Sequence, residues 1–436
     1  MRKIIHFIFL MMLFITSYSA YAILSMELTQ GVAGAIPIAV VPFANLNGQP
    51  SQDVSSIIAN DLQNSGRFKV YGKNSLSAFP SDANSVSADY FRRLGTDNVV
   101  IGKVDALGGD RYQISFQLLD MYRGKGNASI ILNSKYTVSS RELRAAAHHI
   151  SDLIYEQITG VRGVFSTKLA YVVVQRGAGG VGRYTLEVCD ADGFNPRPLL
   201  NSPEPIMSPA WSPNGKQLAY VSFENRRAGI YLQDVATGSR RLLSQFPGIN
   251  GAPAWSPDGR KLAIVLSKSG APNIYVMDIG SRQLKQVTKD FYINTEPSWS
   301  TDGKSLLFTS NRSGGPELYQ INVNGGDASR LTYDGDYNAR GSFTRDGKYV
   351  AMIHKVSGVY KIALLDQDTG TVKVLTNSAG DSASPSVAPN GSMILYDTVY
   401  RGQNVLGMVS SDGRVQLILP ARNGEAQDPA WSPYSS

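Results

Sequence analysis

The sequence predicts a multidomain α/β plus all-β chain: a small mixed α/β domain, then a six-bladed β-propeller closed by the C-terminal strand. Three observations predict it. A Pro-x-Trp-Ser-Pro-Asp-Gly motif returns every 44 residues through the second half. The chain ends on an unmatched copy of that motif, whereas the first strand of the kind that follows it has no copy before it. The first half lacks the repeat and alternates short apolar runs with helical patterns.

In chain order, Arg2 and Lys3 open a leader whose apolar run, 4–15, is interrupted by His6. Small and polar residues follow and end on Ala20-Tyr21-Ala22, an A-x-A pattern. Residues 1–22 therefore read as a signal peptide cleaved after Ala22; an uncleaved anchor is the alternative. No later stretch reaches eighteen apolar residues, so the mature chain is expected to carry no membrane span. With 42% apolar and 18% charged residues, the 436-residue chain has a globular balance and room for several domains. Loss of Arg2 and Lys3 takes the formal charge from +7 to about +5. The basic residues are scattered, which argues against nucleic acid and leaves modest attraction to acidic partners. Cys189 is the single cysteine, so no internal disulfide can form, and its strand-like surroundings suit a small core residue.

In residues 23–34, Leu24, Met26 and Leu28 alternate with Ser25, Glu27 and Thr29, the period of a strand with one apolar face. Two readings stand: a mobile segment that adds to a partner's sheet, or an edge strand of the domain that follows. The α/β domain, 35–162, starts with a buried strand over 36–43. Asp53 then opens a helix with Ile57, Ile58 and Leu62 on one face, stopped by Gly66. A short strand at 68–71, a helix at 88–94 and strands at 98–106, 112–119 and 128–138 come next. Ser139 to Glu142 forms a capping box for a last helix that carries Leu143, Ala147, Ile150, Ile154 and Ile158 and ends near Gly160. His148 and His149 are adjacent and point to different faces, poor geometry for one metal ion.

The propeller occupies 163–436. The centre of its motif falls at Trp211, Trp255, Trp299, Phe343, Val387 and Trp431. Pro presets φ in the turn, Asp or Asn bonds back to the backbone, and Gly takes φ > 0. Four strands per repeat make a blade. The Leu-Ala-Tyr-Val strand at 169–172 lacks its inner neighbour, and the terminal Pro429-Ala430-Trp431-Ser432-Pro433 can supply it. Closure removes a sheet edge; an open solenoid, the alternative, needs polar caps. The tryptophans are expected between blades. Asp190-Ala191-Asp192-Gly193 resembles part of a calcium loop but lacks the remaining ligand positions, and reads as a turn.

These residues also carry a family resemblance. Residues 36–43 and 60–68, the blade entrances Asn250-Gly251-Ala252-Pro253 and Asn294-Thr295-Glu296-Pro297, and the ending Pro429-Ala430-Trp431-Ser432-Pro433-Tyr434 resemble the TolB family of the Tol-Pal system. The resemblance implies a periplasmic, non-enzymatic scaffold without a cofactor or a metal. It implies that the propeller binds the lipoprotein Pal and that the N-terminal segment contacts TolA, in support of outer-membrane integrity and its constriction at division. On this basis Met207, Asn250, Gly251, Thr295, Glu296, Arg340 and Asp381 are the candidate contacts for a Pal-like lipoprotein. Each is equally readable as a turn residue. Leu24, Met26 and Leu28 are the candidates for a TolA-like protein. A monomer is expected.

Two rival functions have recognisable requirements. A peptidase-related propeller needs a hydrolase domain with G-x-S-x-G, which the sequence does not contain. A sugar- or small-ligand-binding propeller needs aromatic platforms at a channel mouth, whereas the recurrent aromatics here fall inside strands.

Overall fold

A computed structural model of the chain describes residues 25–28, 34–123, 128–177, 182–419 and 424–434. The expected signal peptide and Leu24 lie outside them. Among the described residues no helix is long and apolar enough to cross a membrane.

The described chain begins with β1 (Ser25–Leu28), β2 (Ile36–Val40), β3 (Ala44–Leu46), α1 (Val54–Asn64) and β4 (Phe68–Tyr71). There follow α2 (Ala88–Leu94), β5 (Asn98–Gly108), β6 (Arg111–Asp120), β7 (Ser129–Ser139) and α3 (Leu143–Thr159). The α/β sheet runs β4-β2-β5-β6-β7, with β3 also on β5. β2 is parallel to β4 and β5, whereas β5, β6 and β7 are antiparallel. Local chemistry sets the helix limits. The Asp53 carboxylate accepts the Ser56 N–H at 3.1 Å and caps α1. Ser139 and Glu142 form the expected capping box, and Gly160, at φ 73°, ends α3. Ile57, Ile58, Leu62, Leu143, Ile150 and Ile154 cover one face of the sheet and bury Ile38, Val100, Ile114 and Phe116. Phe91 of α2 covers Ala39, Val99 and Ile101 on the other face.

The rest of the chain forms six radial sheets. In blades two to six the inner strands are Ile206–Trp211, Asn250–Trp255, Asn294–Trp299, Asn338–Phe343 and Ser382–Val387. Blade one takes its inner strand from the C-terminus: Glu425–Trp431 pairs antiparallel with Lys168–Arg176, so the ring is closed as expected. Each Trp side chain reaches the blade before it. Indole N–H groups of Trp211, Trp255 and Trp299 donate to the carbonyls of Ala430, Ala210 and Ala254 at 3.1, 3.1 and 2.9 Å. Trp431 donates to Thr167 Oγ1 at 2.8 Å. The turns follow their sequence chemistry. Asp258 Oδ1 accepts the Arg260 N–H at 3.0 Å, and Gly259 takes φ 70°.

Among the described residues β1 does not pair with the sheet of the α/β domain. It lies antiparallel on Val415–Leu419, the outer strand of blade six, with Met26 opposite Leu417 and Leu28 opposite Val415. The edge-strand alternative for this segment is thereby replaced by addition to the propeller.

Candidate functional site

The inner strands share an irregularity that builds the channel. Each register breaks once, between 207 and 210 and at the equivalent places 44 residues on. The bulged residues are Ser208, Ala252, Glu296, Arg340, Ser384 and Asp428, all left-handed with φ between 43° and 53°. In five blades a proline follows, where the bulge asks for no N–H donor. The six side chains line one central cavity.

Arg340 organises that ring. Its Nε lies 3.1 Å from Glu296 Oε1 and its Nη1 3.3 Å from Asp428 Oδ1, and it also donates to Ser384 Oγ. Thr309 Oγ1 donates to Glu296 at 2.8 Å and accepts the Arg340 N–H at 3.0 Å. The Asp428 N–H donates to Asp397 Oδ2 at 2.9 Å. The network ties blades four, five, six and one across the channel. Burial works against the Arg340 charge, but Asp428, Glu296 and Asp397 hold its pKa above the ordinary value. Burial pushes the Asp397 carboxyl up.

The loops that lead into the inner strands carry exposed apolar side chains, Ile249, Phe291, Tyr292, Ile293 and Tyr333, and Met207 is exposed on the inner strand of blade two. Phe291 is 97% exposed and Tyr333 73%. Sequence reasoning missed the apolar loop residues, although Phe291-Tyr292-Ile293 directly precedes Asn294 at a blade entrance and no strand claims it.

The candidate residues fall into three groups. Glu296 and Arg340 meet in the channel, and Met207, Gly251 and Thr295 directly precede the bulged residues of their inner strands, Met207 being 42% exposed. Asp381 is exposed at an entrance loop, where its carboxylate accepts the Tyr360 N–H at 3.0 Å. Asn250 has to be corrected. It is 1% exposed, and its side chain accepts from Ser244 Oγ and the Phe246 N–H while donating to the Phe246 carbonyl. The family resemblance made it a candidate contact; the amide instead holds the loop together from inside. Trp211, Trp299 and Trp431 are buried and Trp255 is half-buried, and all four lie along the wall of the same cavity.

The α/β domain packs at the opposite ends of the blades. The Gly66 backbone comes so close to Val415 that an added Cβ would lie 2.3 Å from Cγ2. Asn390 Nδ2 and the Tyr434 hydroxyl both donate to the Arg162 carbonyl, at 3.0 and 3.2 Å, and the Arg162 guanidinium lies 4.1 Å from the Tyr434 ring centre. Asp152 on α3 holds the linker by accepting the N–H groups of Phe165 and Ser166 at 2.7 and 3.2 Å. Asp190-Ala191-Asp192-Gly193 is a turn, and its two carboxylates face Arg144 of α3. His148 is buried among them, while His149 is exposed and packs edge-on against Tyr136.

Fold and site together define a class: a closed six-bladed propeller with an α/β domain docked at one end and an ion-locked channel mouth at the other. Comparison with known proteins narrows it. The TolB beta propeller domain family matches residues 155–435, and the TolB amino-terminal domain family matches 24–127. The chain belongs to the TolB family. It is similar to the Tol-Pal system protein TolB of Coxiella burnetii, 50% identical over 236 residues, 53% of each chain. It is 48% identical to the protein of that name from Legionella pneumophila over 230 residues, 52% of each. The chain thus spans about half the length of the curated relatives it matches. The crystal structure of TolB from Acinetobacter baumannii superposes with a TM-score of 0.85 at 40% identity, covering 94% of this chain and 100% of that one.

Proposed function

We propose that the chain is a periplasmic component of the Tol-Pal system. It is a scaffold, not an enzyme, and supports outer-membrane integrity and constriction at division. The propeller mouth binds a Pal-like lipoprotein, and the segment containing Leu24, Met26 and Leu28 binds a TolA-like protein of the inner membrane. The observation that carries the first contact is the exposed apolar set Phe291, Tyr292 and Tyr333 on loops that lead into the inner strands bearing Glu296 and Arg340. An exposed apolar patch with a polar centre suits a protein partner. The second contact is supported by the strand mode of β1, which already pairs with a sheet edge through its backbone.

Calorimetry with the soluble domain of a Pal-like lipoprotein tests the first contact. Glu296→Ala and Phe291→Ala are each expected to weaken binding by roughly tenfold or more, the loss of a central contact. Unchanged affinity in both variants removes the mouth as the binding surface. For the second contact, a chain lacking residues 23–34 is expected to lose TolA-domain capture, and retained capture refutes it.

A further inference from the structure

The contact between the two domains contains a buried charged cluster that the proposed function does not use. Asp61 comes from α1, Arg144 and His148 from α3, and Asp190 and Asp192 from the blade-one turn. His148 Nδ1 lies 2.8 Å from Asp61 Oδ2, which also accepts the Ser151 hydroxyl at 2.7 Å. Asp61 therefore fixes Nδ1 as a donor. The other ring nitrogen, Nε2, points across the domain boundary at Asp192 Oδ2, 3.7 Å away. It is buried and has no hydrogen-bond partner among the described residues.

Charge balance says what that nitrogen carries. Arg144 pairs with Asp192 and lies 3.4 Å from Asp190, and Lys168 pairs with Asp190. Asp61, Asp190 and Asp192 thus face two permanent cations. A third positive charge neutralises the cluster, and His148 is placed to hold it. Asp152, the other acid on this stretch of α3, faces the linker.

We propose that His148 is a proton-operated latch between the domains. Protonated on both ring nitrogens, it bridges Asp61 of the α/β domain to Asp192 of the propeller, and losing the proton weakens the docking. Burial opposes the charge, but Asp61 and Asp192 outweigh it and hold the imidazole pKa above its ordinary value of 6.5. Asp61 belongs to the same domain as His148 and acts docked or not; the Asp192 carboxylate is what docking adds, and through it the docked state binds the proton more tightly than an undocked one. The latch is complete below the undocked midpoint and is lost as pH rises through the higher docked one. A divalent cation is the competing occupant, since ligand atoms of Asp61, His148 and Asp192 lie within 4.8 Å of one another. Arg144, bonded to the same Asp192 oxygen, repels it.

The test is an NMR titration of the histidine rings in the purified protein, with the His148 signal assigned from His148→Gln. Its midpoint is expected above 6.5 and to fall in Asp192→Asn, a variant whose Oδ1 can still accept the Phe194 N–H. In parallel, hydrogen exchange at the interface amides of Phe165 and Ser166, corrected for intrinsic rate, reads domain opening. Opening should rise up to about tenfold for each unit by which docking raises the midpoint, and should become pH-independent in both variants. A midpoint at or below 6.5 overturns the latch. So does a midpoint unmoved by Asp192→Asn, or wild-type protection that EDTA removes. If His148→Gln does not fold, the wild-type and Asp192→Asn titrations decide alone.

Discussion

Replacing Arg340 by methionine keeps most of the side-chain volume and removes the charge that Glu296 and Asp428 share. Those carboxylates lie 3.1 and 3.3 Å from the guanidinium, and Asp397 is joined to them through the Asp428 backbone. Removing one partner of a buried pair costs about 3–5 kcal/mol. The Arg340 side chain is 27% exposed in the channel, and solvent there screens part of the loss, so about 2–3 kcal/mol is expected. The cost should depend on pH. Without the cation, less offsets the burial that already pushes the Asp397 carboxyl up. A carboxyl raised on folding makes the folded state the better proton binder, so stability falls as pH rises. The deficit should be largest near about pH 8 and shrink toward about pH 5, as the acids protonate. Urea unfolding followed by fluorescence of Trp211, Trp255, Trp299 and Trp431 reads it through the midpoint at constant slope. A deficit under about 0.5 kcal/mol, or one equal at both pH values, refutes the account of Arg340 as the cation that holds the ring together.

Trp431→Ala should cost about 3–5 kcal/mol in the same unfolding assay, whereas Trp431→Phe, which loses the N–H bond to Thr167, should cost about 1. Gly66→Ala combines a left-handed φ of 69° with a 2.3 Å approach to Val415, so it should destabilise more than Gly95→Ala, where φ is 81° and nothing lies within 4 Å. Thermal melts of the two variants compare strain plus collision with strain alone, about 1–2 kcal/mol. Phe291→Ala should leave stability within about 0.5 kcal/mol, since the ring is exposed, so that any loss of partner binding is attributable to the surface.

The propeller was legible because its determinants are local and repeated. Pro, Asp and Gly at fixed offsets specify a turn wherever they occur, and the 44-residue step between the motif centres turns one blade into a ring. Ser139 and Glu142 announced α3 for the same reason, since a capping box lies within four residues. The features that escaped are non-local. β1 pairs with residues almost four hundred positions away, and its alternation states only that it has two faces. Asp61 and His148 are 87 residues apart, and Asp192 lies in another domain, so neither spacing nor residue type hinted at their contact. Asn250 shows the opposite error: a resemblance along the chain picks out a segment, but not which of its side chains turn inward, and this one ties its loop from the inside.

The two ends of each inner strand have been given different work. At the Trp end, the indoles join neighbouring blades and the turns of blades one and six receive the α/β domain, so that end is committed to structure. The bulge lies toward the other end, by which the chain enters each inner strand, and there the sequence accepts strain. Six successive non-glycine residues hold φ between 43° and 53°, a conformation that costs an L-residue about 1–2 kcal/mol. Glycine would remove that cost at every blade, and none of the six is glycine. What glycine would also remove is the Glu296, Arg340, Ser384 and Asp428 network. At four of the six places the strain holds a side chain of that network in the channel, and at Ala252 it holds only a methyl group, so the network accounts for those four and the bulge itself for the rest.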